Sequence, residues 1–354
     1  HSGPSYARAY RQRTLDAGIA LETATTITGW VGPHAVTATS PAGIKQIEAT
    51  AILLATGCRE RPAAARLIPG YRPLGVFTTG SLQRFVYEYG QPVGKRAVVV
   101  GAELVSLSAL LTLHHAGATV EQMITDLPQH QIALPFLPVL WYAGQRLKVK
   151  VSTQAQISRI LGRHHVEGVE VRYGAGQQTA IIPCDTVVFT GKWIPEHDLA
   201  RLGGITMNPA TRGPQVDAAL RTSTPGIFAA GNLLRGAETA DHAALEGRWV
   251  APHIAQFLAD AQWPQRGLPL QVESPVAWVA PNQVNPGQGK PPLGKFLFQV
   301  TEFCRGVQAC IYQGERILHR QAFRHLVPNR SFALSGDWLA HVDSHGEPLR
   351  LTLT

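Results

Sequence analysis

Thr222-Ser-Thr-Pro-Gly-Ile-Phe-Ala-Ala-Gly-Asn232, read with Ala51-Ile-Leu-Leu-Ala-Thr-Gly57 well upstream, decides the fold of this chain. Each is a short apolar strand ending in small residues, the shape needed where backbone must approach a flat, phosphate-bearing ligand closely. Between them, Arg96-Ala-Val-Val-Val-Gly-Ala102 opens a separate strand–turn–helix unit. Around it, Gly94–Thr125 reads as βαβ: strand Ala97–Val100, a turn, a helix over about Leu104–Ala116 stopped by Gly117, and strand Thr119–Thr125.

Working outward, residues 5–18 read as helical. Ile19–Thr28, Gly32–Ser40 and Ile44–Thr50 alternate apolar and polar residues between Gly and Pro punctuation, which predicts a three-stranded meander before a buried parallel strand at Ala51–Ala55. A second meander is predicted over about Lys148–Val188, with Gly174-Ala-Gly176 as a hairpin turn. Its last strand, Thr186-Val-Val-Phe-Thr-Gly191, mirrors Ala51–Gly57, so helix, meander and strand ending in Thr-Gly occur twice. A helix is expected from near Ala240, with a kink or restart at Pro252, since a proline inside a straight helix costs about 3 kcal/mol. From Trp263, Pro264, Pro269, Pro275, Pro281, Pro286, Pro291 and Pro292 predict a linker. Phe296–Thr354 then reads as short strands with hairpin turns at Gln313-Gly314 and Ser344-His-Gly346.

The chain has 354 residues and 45% hydrophobic content, enough for two or three cores. Its net charge of +8 comes from Arg residues scattered between Arg8 and Arg350, without the stripe or interleaved aromatics of a nucleic-acid surface. No apolar run approaches the roughly 18 residues of a membrane span. The four cysteines, Cys58, Cys184, Cys304 and Cys310, form no C-x-x-C pair, which argues against a redox disulfide, an iron–sulfur cluster or a zinc site. Reduced, buried thiols fit a cytoplasmic protein.

In the order of these elements the chain resembles the two-dinucleotide-domain flavoproteins, the pyridine nucleotide-disulfide oxidoreductase-like group. The resemblance implies an α/β fold of FAD/NAD(P)-binding, Rossmann-like type: two ββα-type dinucleotide domains with β-meanders, plus a small C-terminal β-rich domain. The expected division is 1–92 as the first part of a flavin domain, 93–195 as an inserted NAD(P)-binding-like domain, 196–262 as the return to the flavin domain, and 263–354 as linker and β-rich unit. Because the family's first G-x-G-x-x-G unit has no counterpart before Ala51 and the chain opens on His1, it is expected to lack the first βαβ unit of its flavin domain. Residues 5–260 also look similar to the FAD subunits of opine oxidase, hydrogen cyanide synthase and dye-linked amino-acid dehydrogenases, most specifically over Ala51–Pro62 and Thr222–Gly247. The cysteine cluster that some of those subunits carry is absent.

The resemblance places FAD against Ala55, Thr56 and Gly57 and against Gly231 and Asn232, where the family's usual Asp contacts a ribityl hydroxyl. Asn232 keeps the hydrogen-bonding capacity without the charge. Glu238, Thr239 and Ala240 lead into a helix whose N-terminus would stabilise negative charge at the pyrimidine edge of the flavin. Glu238 and Thr239 read equally well as plain capping residues.

In the second domain the nucleotide turn is Gly101-Ala102-Glu103-Leu-Val-Ser106 rather than G-x-G-x-x-G. Glu103 stands where backbone must meet pyrophosphate, and two like charges at about 4 Å repel by roughly 4 kcal/mol at an effective dielectric of 20. NAD(P)H is therefore a doubtful ligand. The reading is an FAD-dependent oxidoreductase passing a hydride from an organic donor, an amine or amino acid, to flavin and on to an acceptor. A second oxidoreductase subunit is the expected partner, beside the small-molecule substrate. An NAD(P)H-dependent reductase, and a non-catalytic partner subunit or inactive fragment, are the alternatives. His197, His242 and His253 read as solvated or core residues, so no catalytic base is assigned. Trp193 and Pro195 read either as lining the approach to the flavin or as domain-interface packing.

Overall fold

The computed structural model describes residues 3–132, 136–146, 148–174, 178–264, 267–285 and 289–354. A helix, Gly3–Asp16, opens the chain and buries none of its residues. The antiparallel meander follows as Thr26–Gly32, Ala35–Ser40 and Gly43–Glu48. Its first strand starts later than the alternation from Ile19 suggests, because Ile19 and Leu21 are 58% and 43% exposed and the stretch has no buried face. Trp30 ties the meander down, its indole Nε1 donating to the Leu199 carbonyl at 2.8 Å.

Strand Ile52–Leu54 pairs in parallel with Ile227–Ala229, with Leu54 opposite Ala229. Their core takes in Val216, Leu220, Phe228, Leu233 and, from helix Ala240–Asp260, Val250 and Phe257. That helix runs as one element through Pro252, so the restart expected as one outcome there does not occur. Both Pro252 and Arg248, whose carbonyl the missing N–H frees, are on the exposed face, so water can satisfy the carbonyl while Val250 and Phe257 hold both halves to one core.

The second unit is an all-parallel five-stranded sheet in the order Val76–Thr78, Thr186–Phe189, Arg96–Val100, Thr119–Ile124, Lys150–Ser152. Thr186–Phe189 is buried along its whole length, the signature of a strand covered on both faces. Helix Leu104–His115 lies on one face, packing Leu107, Leu110 and Leu113. A three-stranded meander, Ala155–Leu161, Gly168–Tyr173 and Gln178–Ile182, covers the other. The predicted second meander is thus divided, since its first and last strands join the parallel sheet. Gly174 adopts φ of 62°, suiting the predicted turn, while Ala175 and Gly176 lie outside the described residues.

The stretch predicted as a linker carries strands Leu268–Val272, Val276–Ala280 and Gln283–Val284. Pro275 and Pro281 sit between these strands, and Pro269 pairs only with the short Gln283–Val284, so the prolines remove little from the ladders. With Lys295–Val300, Cys304–Gln313, Arg316–Leu326, Phe332–Ser335 and Leu349–Leu353 they form sheets of five and three strands. The two sheets share a core around Phe296, Phe298, Ile311, Leu334, Trp338 and Leu351. Gly314 makes the turn of the Cys304–Leu326 hairpin, whereas Ser344–Gly346 joins a short helical turn to the last strand and makes no hairpin. Asn285 fastens this unit to the rest, its Nδ2 donating to Asp217 Oδ2 at 2.7 Å.

Candidate functional site

Parallel pairing of Ile52–Leu54 with Ile227–Ala229 brings both glycine-ended strand tips side by side. Gly57 and Gly231 adopt φ of 79° and 73°, a region that favours glycine. A Cβ on Gly57 would meet nothing within 4 Å, and Ala55 and Thr56 are exposed, so this tip is an open backbone surface. Thr56 Oγ1 donates to the Glu196 carbonyl at 2.7 Å. Gly231 faces the first turn of the helix Ala240–Asp260, where a Cβ would sit 3.9 Å from that of Ala243. Thr239 caps that helix, and as its first residue Ala240 has no intrahelical partner for its N–H.

Two of the expected contacts are partly committed inside the protein. Asn232 Oδ1 accepts the Glu238 N–H at 3.1 Å, leaving its amide NH₂ as the freer end. Glu238 turns its buried carboxylate to Ser331 Oγ of the C-terminal unit, and that carboxylate also lies 3.6 Å from Arg235 Nε. Its side chain therefore serves this junction.

Cys58, beside Gly57, has its thiol pushed up to about 11 by burial and by the carboxylates of Glu196 and Glu60, partly offset by the Asn232 side chain. It is a protonated thiol at neutral pH. Two buried acids behind the strand tips were missed by sequence reasoning. Glu60 joins three segments, accepting from Gly80 N at 2.9 Å and Gly191 N at 3.2 Å. Glu246 accepts from Gly231 N at 2.8 Å and pairs with buried Arg235 at 2.5 Å.

The nucleotide turn is occupied by its own side chain. Gly101 takes φ of 142°, and Glu103 folds back over it to the start of helix Leu104–His115. One carboxylate oxygen accepts the Ala102 N–H at 2.9 Å, and the other accepts the Thr190 hydroxyl at 2.5 Å. A Cβ on Gly101 or Gly191 would stand 2.8 Å or 2.4 Å from that carboxylate, so both glycines leave room for it. Burial raises the Glu103 pKa, with the Thr190 hydroxyl, the backbone N–H groups and Arg66 pulling the other way. Arg66 lies 5.1 Å above the Phe189 ring and donates to the Thr190 carbonyl at 2.7 Å. These groups border a cavity of about 250 Å³ whose floor is Ile124, Ala155, Ile157 and Phe189. Asp126, at the end of its strand, is paired with Lys192 at 2.9 Å.

Trp193 packs on the loop that follows Asn232, where a Cβ on Gly236 would come within 2.9 Å of its own. His242 meets the Thr239 hydroxyl at 3.0 Å, and burial lowers the pKa of His253. Among the described residues no group of three or more His, Cys, Asp or Glu side chains is placed to hold a metal ion. No described helix is long and apolar enough to cross a membrane.

Residues 4–247 match the model of a family described as pyridine nucleotide-disulphide oxidoreductase. An opine oxidase subunit of Agrobacterium tumefaciens is 29% identical over 218 residues, 56% of this chain and 42% of that protein. The biphenyl dioxygenase system ferredoxin–NAD(+) reductase component of Paraburkholderia xenovorans is 30% identical over 195 residues, 51% of this chain and 43% of that protein. The chain thus spans less than half the length of these two relatives. Among solved structures, T. acidophilum thioredoxin reductase superposes with a TM-score of 0.60 at 17% identity, over 73% of this chain and 82% of that one. An FAD-dependent pyridine nucleotide-disulphide oxidoreductase from Desulfovibrio vulgaris gives 0.54 at 19% identity, over 84% and 75%. Both likenesses carry the fold.

Proposed function

The chain belongs to the pyridine nucleotide-disulphide oxidoreductase family of FAD-dependent oxidoreductases, and from that premise we propose that its flavin takes a hydride from an organic donor rather than from NAD(P)H. The observation that carries this reading is the Glu103 carboxylate, seated at the helix N-terminus where a dinucleotide fold receives pyrophosphate. A second anion brought there meets a like charge in a shielded site. The alternative of an NAD(P)H-dependent reductase draws on the likeness to a ferredoxin–NAD(+) reductase component, and it requires that carboxylate to leave.

What supports FAD at the strand tips is the open backbone of Gly57 and Gly231 beside the start of helix Ala240–Asp260. Gly57, Gly231, the Asn232 amide and the N–H groups of Ala240 and Asp241 would hold it. When bound, FAD supplies two-electron redox chemistry. The helix N-terminus contributes unpaired N–H groups and a positive dipole end, favouring added negative charge. Cys58, held protonated, contributes no thiolate and has no second cysteine beside it in sequence.

The donor is an amine or amino acid, and the acceptor side is a second oxidoreductase subunit. Matched relatives, one named as a system component and the other as an oxidase subunit, support that arrangement. Four free thiols support a reducing, cytoplasmic setting. Anaerobic mixing of the flavin-loaded protein with NADH or NADPH tests the reading. Flavin absorbance should persist at micromolar nucleotide, and rapid bleaching would overturn the proposal in favour of a reductase. Failure to bind flavin at all would favour a non-catalytic partner subunit or inactive fragment.

A further inference from the structure

Where the nucleotide-like sheet, the loop after Asn232 and the C-terminal β unit meet, they enclose a cavity of about 410 Å³. Four cations line it: Arg61, Lys192, Arg212 and Arg235. Lys192 is paired with Asp126, which also lines the cavity, and Arg235 with Glu246. Arg61 and Arg212 form no ion pair among the described residues. Arg61 donates Nε to the Ala65 carbonyl at 2.8 Å, and Arg212 donates Nη2 to the Trp193 carbonyl at 3.0 Å. A guanidinium carries five N–H donors, so most of this capacity is not used by the protein. The two are close enough for the charge of Arg61 to act on Arg212, whose pKa is lowered first by burial and then by that charge.

Arg212 is exposed and Arg61 half-buried, so an anion from solvent can reach both, and guanidinium forks match a planar carboxylate in both spacing and direction. The remaining walls say what the anion is attached to. Trp193, Trp278, Ala237 and Val300 are among its lining residues, apolar groups suited to a carbon skeleton. The cavity also adjoins the strand tips, because Arg235 and Ala237 belong to the loop joining Asn232 to helix Ala240–Asp260.

We propose that this cavity binds the carboxylate of a small organic acid, anchored by Arg61 and Arg212 and walled by Trp193 and Trp278. The assignment rests on the functional reading above and deepens it, identifying the organic donor as a carboxylic acid.

Isothermal titration calorimetry of the full chain with succinate, L-glutamate and inorganic phosphate tests this, beside Arg61→Gln and Arg212→Gln. Saturable binding of a carboxylate is expected, weakened about tenfold or more by either variant, as for loss of one charge-assisted hydrogen-bonded anchor. If Arg212→Gln fails to fold, as judged by circular dichroism, Arg61→Gln alone decides. No saturable heat from either carboxylate at millimolar concentration refutes the site, and so does binding that neither variant weakens. Phosphate binding more tightly than both carboxylates, and lost in the same variants, refutes the carboxylate assignment. The titration needs neither flavin nor turnover. A carboxylate that binds here while NADH rapidly bleaches the flavin therefore sinks the functional reading and leaves this site standing.

Discussion

Replacing Glu103 by Gly is the sharpest perturbation of the nucleotide-like domain. The wild-type carboxylate holds the Ala102 N–H and the Thr190 hydroxyl at the start of helix Leu104–His115, so it is the resident anion of that helix N-terminus. A phosphate arriving at about 4 Å meets roughly 4 kcal/mol of repulsion at an effective dielectric of 20, equivalent to about three decades of Kd. Partial protonation and local rearrangement reduce this, so Glu103→Gly should tighten NADH by somewhere between about tenfold and a thousandfold. Glu103→Gln removes charge while keeping bulk, and comparing the two separates repulsion from occlusion. The assay is equilibrium titration of NADH fluorescence, which reports on this domain whether or not flavin is bound. Burial raises the Glu103 pKa, so the folded state holds its proton more tightly than the unfolded one. That contribution to stability is complete below the ordinary carboxylate pKa and is lost as pH rises through the raised value. Glu103→Gln should flatten this slope. Micromolar NADH binding by the wild type, unchanged in both variants, would refute the reasoning.

Further consequences follow from the same contacts. With its pKa near 11, Cys58 holds roughly one thiolate in three thousand at pH 7.5, so iodoacetamide should label it roughly three-hundredfold more slowly than an ordinary thiol. Labelling at the free-cysteine rate, read by peptide mass spectrometry, would contradict the burial argument. Glu246→Ala leaves Arg235 buried without its closest partner and should cost about 3–5 kcal/mol in urea unfolding, and an unchanged midpoint would show that this pair does not hold the loop. Phe298→Ala empties a fully buried position between the rings of Phe323 and Phe332 and should cost about 3–5 kcal/mol. A melting temperature equal to wild type would mean that the C-terminal sandwich is not packed as described.

What the sequence reveals here depends on how far a residue reaches. The run Ala97–Val100 and the turn at Gly101 were legible because strand, turn and helix start lie within a dozen residues, and Glu103 acts on the helix it precedes. Alternation from Ile19 misled because it records polarity, and in that segment Ile19 and Leu21 stay exposed. The prolines after Trp263 misled in the opposite sense, Pro275 and Pro281 falling between strands and Pro269 near the start of one rather than replacing them. Glu60 was invisible because its second partner, Gly191, is 131 residues away. Glu238 carries a cap-like signature beside Thr239, yet its carboxylate goes to Ser331, 93 residues on. No local pattern encodes either choice.

The distribution of charge between the two cavities gives the functional reading its direction. At the nucleotide turn a carboxyl group is built in, enclosed by Gly101, Gly191 and Thr190 at the start of helix Leu104–His115. Across Lys192 and Trp193, in the cavity that adjoins the Asn232 loop, the guanidinium groups of Arg61 and Arg212 form no ion pair among the described residues. A dinucleotide-dependent enzyme needs a free helix N-terminus for the pyrophosphate. On the proposed reading, anion recognition lies not at the seat that a nucleotide phosphate would take but at one that an organic acid can fill. Exchanging these properties tests the logic as one unit: Glu103→Gly combined with Arg61→Gln should bind NADH more tightly and succinate more weakly than wild type. The two cavities share Asp126, Lys192 and Asn329 in their walls, and Arg66 bonds the Arg61 carbonyl, so departure from additivity in the double variant measures the coupling between them.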